Sequence, residues 1–230
     1  MTETFDLHAR LSGALHSRAE AWRFVADFAA SWQQPLQAGD GWSVAEVEAA
    51  ERRLGLVLPV ALREAQLLLG RRTDLTSNHD TLLKPDELHV VDGALVYRVE
   101  NQGAASWGIL LADLDGDDPG TVMRPDLADE SQERWEAWES SLTVACIEMV
   151  MSETVLFGGG FTDFLDAGAE EAGVVGRFRE LPVVGRDVRW FADADVLIRE
   201  VDGSCLNVRA RTEKALDQLR DSVPGDWLEG

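Results

Sequence analysis

Residues 41–70, GWSVAEVEAAERRLGLVLPVALREAQLLLG, leave the chain few choices, because almost every position is either a helix signal or a helix stop. Ser43 with Glu46 three residues on is a capping box: the hydroxyl accepts a first-turn N–H and the carboxylate reaches back to the cap. Val44, Val47, Ala50 and Leu54 then recur at three- and four-residue steps, so one face packs while Glu46, Glu48, Arg52 and Arg53 stay wet. Gly55 follows the last periodic residue, where a left-handed backbone is least strained without a Cβ. Leu56, Val57 and Leu58 carry the chain across the core. Pro59 opens a second helix, at a place where its missing N–H has no partner to lose. Leu62, Ala65, Leu68 and Leu69 form that helix's stripe, and Gly70 ends it.

Around this pair the pattern is mixed. Residues 5–15 and 19–32 look helical, with Trp22, Val25, Phe28, Ala29 and Trp32 at helical spacing, and residues 35–41 read as a loop. Beyond Gly70, residues 88–91, 94–99, 107–111 and 121–123 are short runs rich in Val, Leu and aromatics, separated by Gly, Asp and Pro, as in a small meander. Its first turn holds Asp92-Gly93, a pair suited to a tight hairpin. Residues 131–155 read as a long helix, or two in series, with Trp135, Trp138, Leu142, Ala145, Met149 and Val155 on one side and Gly158-Gly159-Gly160 at its end. The last third offers strands at 188–191, 196–201 and 205–210, with Asp202-Gly203 turning between the latter two, and a final helix capped by Thr212. The expected fold is therefore α+β, a largely antiparallel sheet flanked by helices. Its expected divisions are a helical segment at 1–40, a core at 41–168 and a C-terminal hairpin and helix at 169–230, which either extend the sheet or form a second lobe.

The order Trp42, a helix with Glu48, Leu54-Gly55, Leu58-Pro59, Arg63-Glu64 and Gly70 resembles the opening of the SUKH superfamily. That family includes fungal cell-wall synthesis regulators of the Smi/Knr type and many bacterial immunity proteins. The resemblance continues in Leu95-Val96-Tyr97, Glu100-Asn101-Gln102-Gly103 and Trp107-Gly108-Ile109 and covers roughly residues 40–160. It implies a non-catalytic protein that binds another protein, most often a toxin delivered by a neighbouring cell.

Charge bears on what such a partner is. Lys+Arg number 21 against 42 Asp+Glu, a formal net charge of -21, which argues against nucleic acid as a direct ligand and favours a cationic partner. No apolar run approaches the roughly 20 residues that span a bilayer. The opening residues lack the basic and apolar regions of a secretory signal, so a cytoplasmic protein is expected. Cys146 and Cys205 lie far apart and outside any CxxC pair, so free thiols are expected.

Familiar chemistry is missing from the spacing. Residues 113–118, DLDGDD, concentrate carboxylates as a calcium loop does, but a loop starting at Asp113 needs Gly sixth and Glu twelfth, where Asp118 and Arg124 stand. The three glycines lack the Lys-Ser or Lys-Thr pair of a phosphate loop. His8, His16, His79 and His89 form no HxxxH or HExxH spacing; Asn78-His79-Asp80 is a polar loop cluster, and a solvated histidine is expected there. No catalytic residue, cofactor or metal ligand is assigned.

What remains is a negative segment with aromatics interleaved, from Glu100 to Glu139, opposed by only Arg124 and Arg134. The expected partner-binding residues are Glu100, Trp107, Asp113, Asp115, Asp117 and Asp118. Together with the resemblance they suggest an immunity protein that covers the basic groove of a toxin, such as a nuclease, with an acidic face. The alternative is a scaffold or regulatory adaptor of the same fold that binds an endogenous protein.

Overall fold

The computed structural model of the chain describes residues 5–156 and 160–228. Helices α1 (Leu7–Ala14) and α2 (Arg18–Trp32) pair at the start, the second capped by Ser17. Phe24, which the sequence stripe omitted, is buried on α2 and stacks on Phe28 with ring centroids 5.7 Å apart. The helix pair follows as read. In α3 (Val44–Leu54) the capping box between Ser43 and Glu46 is formed, and Gly55 is left-handed at φ 69°. Helix α4 (Val60–Leu69) begins after Pro59, which stands at the cap itself. A single turn, α5 (Thr73–Thr76), had no sequence signal.

The first sheet comprises β1 (Thr81–Leu82), β2 (His89–Val91), β3 (Ala94–Val99), β4 (Ala105–Leu110), β5 (Val122–Pro125) and β6 (Glu136–Ala137). Its order is β1-β3-β4-β5-β6, all antiparallel, and β1 and β2 lie end to end along one edge of β3. The Asp92-Gly93 hairpin is present, with φ of 45° and 79° at its centre. Between β3 and β4 the register slips. Val96 faces Gly108 but Arg98 faces Trp107, leaving Tyr97 as an extra residue. Because Gly108 and Trp107 are successive, Val96 and Arg98 point to opposite faces instead of sharing one.

Residues 131–155 are not one helix. A 3-10 turn (Glu130–Gln132) and β6 precede α6 (Leu142–Val155). Trp135 and Trp138 stand at helical spacing from Leu142, yet tertiary partners claim them first: Trp135 donates its indole N–H to the carbonyl of Val91, and Trp138 meets Trp107 edge-on at 6.0 Å. Two caps fix the helix start further on. The Ser141 hydroxyl accepts from the Val144 N–H, and an Asp118 oxygen accepts from the Thr143 N–H at 2.9 Å. The helix ends at Val155; of the three glycines placed at its end, Gly158 and Gly159 lie outside the described residues.

All 14 residues of α6 are buried, as expected of a helix that is apolar nearly all round and sits between layers. It touches α2, α4 and α5 and also the second sheet. That sheet contains β7 (Phe161–Leu165), β8 (Arg179–Glu180), β9 (Val188–Ala192), β10 (Val196–Val201) and β11 (Cys205–Ala210), in the antiparallel order β7-β11-β10-β9-β8. The C-terminal hairpin thus builds a sheet of its own. The period of two sorts its side chains: Val188, Trp190, Ala192 and Leu197 join the core around α6. Phe191, Val196, Ile198 and Val208 face α7 (Glu213–Ser222), which Thr212 caps. Among the described residues, seven α-helices and two antiparallel sheets make the fold α+β.

Candidate functional site

Helix α4 and helix α6 both start against the connection between β4 and β5, and this contact shapes its acidic turn. The Ala61 N–H donates to the carbonyl of Asp117 at 2.9 Å, and the Asp118 carboxylate accepts from the Thr143 N–H and hydroxyl. Two helix N-termini are therefore satisfied by one turn, and the partial positive charge there suits carboxylates. Asp113, Asp115 and Asp117 are exposed, and among the described residues neither Asp113 nor Asp115 forms an ion pair. Asp117 stands 3.8 Å from Arg18, which also lies 3.5 Å from Glu64. Val60 next to Ala61 and Leu111 at the start of the turn are exposed, as is Val57 two residues before Pro59.

The structure divides the six residues expected at the partner surface. Asp113, Asp115, Asp117 and Asp118 share the turn, but Asp118 is half-buried and occupied in capping α6. Trp107 is buried beneath the Arg98 guanidinium, whose carbon lies 4.7 Å from the ring centroid, so it offers no contact outward. Glu100 is at the other end of the hairpin. Val99 faces Ser106 and Ala94 faces Leu110, so a strand of six residues, roughly 17 Å at its usual rise, separates Glu100 from the turn.

At that far end lies a charged cluster that the sequence reading missed. Arg98, turned inward by the bulge, donates to Glu148 at 2.8 Å, Glu153 at 3.0 Å and Asp80 at 3.1 Å. The Glu153 carboxylate also accepts the backbone N–H groups of His79 and Asp80, and its carbonyl accepts from the Asn78 side chain, which straps this loop to α6. The Ser152 hydroxyl donates to Glu148. Burial pushes Asp80 and Glu153 above the ordinary carboxylate range against the pull of Arg98. Burial works the same way on Glu148, but Arg98 and the more distant Arg199 outweigh it and hold its carboxyl below that range. One signal could have exposed the cluster: Glu148 and Glu153 are the charged residues of an otherwise uncharged, mostly apolar helix, and a buried charge requires a partner.

His79, expected in solvent, is half-buried, its Nδ1 3.0 Å from Asn101 Nδ2 and its Nε2 3.8 Å from Asp80 Oδ1. Glu100 keeps its own hairpin closed, one oxygen accepting from the N–H groups of Gln102 and Ala104. Both free cysteines are single thiols, Cys146 buried and Cys205 half-buried.

No family model, curated protein or solved structure matches the chain. Among the described residues no helix is long and apolar enough to cross a membrane.

Proposed function

We propose that the chain is a non-catalytic protein-binding module whose acidic turn, Asp113, Asp115 and Asp117, meets a basic protein partner. One observation carries the reading: the turn that bears three exposed carboxylates is fixed by backbone and capping bonds at two helix ends, with exposed Val60 and Leu111 in the same segments. Exposed apolar side chains with a charged margin are the common anatomy of a partner surface. Pre-organisation also lowers the ordering cost of association. The net charge of -21 extends the attraction of a cationic partner beyond contact.

The resemblance to SUKH proteins supports an immunity role, in which the partner is a toxin domain with a basic groove, such as a nuclease, neutralised in the cytoplasm by occlusion. A regulatory adaptor on the same scaffold would use the same surface on an endogenous protein. Affinity capture from source cells, run side by side with the wild-type chain and an Asp113→Lys/Asp115→Lys/Asp117→Lys variant, tests the reading. The expected result is a basic protein retained by the wild type, released by salt and absent from the variant. Equal retention on both, or none on either, would overturn it.

A further inference from the structure

At the solvent end of the Arg98 cluster, an imidazole and two carboxylates converge. One potential ligand atom from each of His79, Asp80 and Glu100 lies within 4.8 Å of the others. Asp80 is 7% exposed, and its Oδ1 has no hydrogen-bond partner although the atom is fully buried. A buried carboxylate oxygen without a donor is costly and calls for a compensating positive charge. Arg98 does not supply it, because its Nη2 is directed at the other oxygen, Oδ2, and at Glu153. The charge count points the same way: the Arg98 guanidinium and the more distant Arg199 stand against three buried carboxylates, and Glu100 adds a fourth negative group beside them.

We propose that His79, Asp80 and Glu100 form a binding site for a divalent first-row cation, with Zn2+ as its best-fitting member. The gap between His79 Nε2 and Asp80 Oδ1 is 3.8 Å. An ion about 2.0–2.1 Å from an imidazole nitrogen and about 2.0–2.2 Å from a carboxylate oxygen fits between them. Glu100 is held by Oε2 to two backbone N–H groups, which leaves Oε1 for the ion and fixes the carboxylate in place. Asn101 supplies the outer support. With its amide oxygen toward the ring it accepts the Nδ1 proton and leaves the Nε2 lone pair for the metal, and amide orientation is interchangeable on geometric grounds. One imidazole and two carboxylates suit a borderline ion better than Ca2+, which takes six or more oxygens, and a fourth position stays open to water. The half-buried His79 and Glu100 leave a path of entry from solvent.

This site is independent of the acidic turn at the opposite end of the hairpin, so the two proposals fail separately. The test is titration calorimetry of the chelator-treated full chain with zinc chloride alone, alongside thermal unfolding with and without the ion. Wild type is expected to bind one equivalent and to unfold at a higher temperature. His79→Ala and Glu100→Gln should each weaken binding at least about tenfold, as should Asn101→Ala acting through the ring. His89→Ala and Cys205→Ser should leave it unchanged. Glu100→Gln retains an oxygen for the hairpin N–H groups, so it reports on the ion even if His79→Ala perturbs the loop. No uptake by the wild type, or uptake indifferent to both His79→Ala and Glu100→Gln, would overturn the proposal.

Discussion

Arg98 is in contact with three buried carboxylates at once, so the packing around it depends on its charge. Arg98→Met leaves those charges unpaired, and urea unfolding at neutral pH should show a loss of about 3–5 kcal/mol. The sign of its pH dependence follows from the shifts. Asp80 and Glu153, raised in the fold, favour it below their unfolded values, and that contribution is lost as pH rises through their folded ones. Glu148, lowered in the fold, contributes above its unfolded value and loses that contribution as pH falls through its folded one. Without Arg98, burial acts on all three carboxyls with less opposition, so the variant's deficit should be smaller at acid pH than at neutral pH, as the carboxyls take up protons. An equal deficit at both would contradict this electrostatic account. The acidic turn separates just as sharply by residue. Asp118→Ala removes the acceptor for Thr143 and should cost about 1–2 kcal/mol in the same assay, whereas Asp115→Ala, fully outside, should stay within about 0.5 kcal/mol.

At the scale of elements, what was legible in the sequence is what local chemistry decides. The capping box of Ser43 and Glu46, the left-handed Gly55 and the Asp92-Gly93 hairpin each satisfy their own backbone, so their residues state their conformation. Gly93→Ala forces a Cβ onto a residue at φ 79° and should cost about 1 kcal/mol, measured as a lower urea midpoint at unchanged slope. Trp135 and Trp138 misled because helical spacing is also met by residues that bind distant partners, here the Val91 carbonyl and the Trp107 ring. The Arg98 cluster was illegible for a related reason. Residue 98 reaches the helix-covered face only through the bulge at Tyr97, and its acids come from a loop at 80 and a helix at 148–153. The Asp113–Asp117 part of the candidate surface could be read, since loop carboxylates need no tertiary pairing. Glu100 and Trp107 were grouped with it by sequence proximity, which a hairpin converts into distance and burial.

At the scale of the molecule, the described residues form two sheets that share the buried helix α6, and the chain carries a surplus of negative charge. Self-repulsion opposes the compact state, so raising monovalent salt from about 10 mM to about 150 mM should stabilise the chain. If screening recovers about 1 kcal/mol, Tm rises by about 2–4 °C in calorimetry. The same charge is the long-range part of the proposed recognition, and the acidic turn is its short-range part. The most direct measurement is therefore the association rate of the captured basic partner with wild type and with Asp113→Lys/Asp115→Lys/Asp117→Lys, each followed across that salt range. The expected result is association at least about tenfold slower for the variant at low salt, a much flatter salt dependence and little change in dissociation. Identical rates and identical salt slopes for the two chains would contradict it.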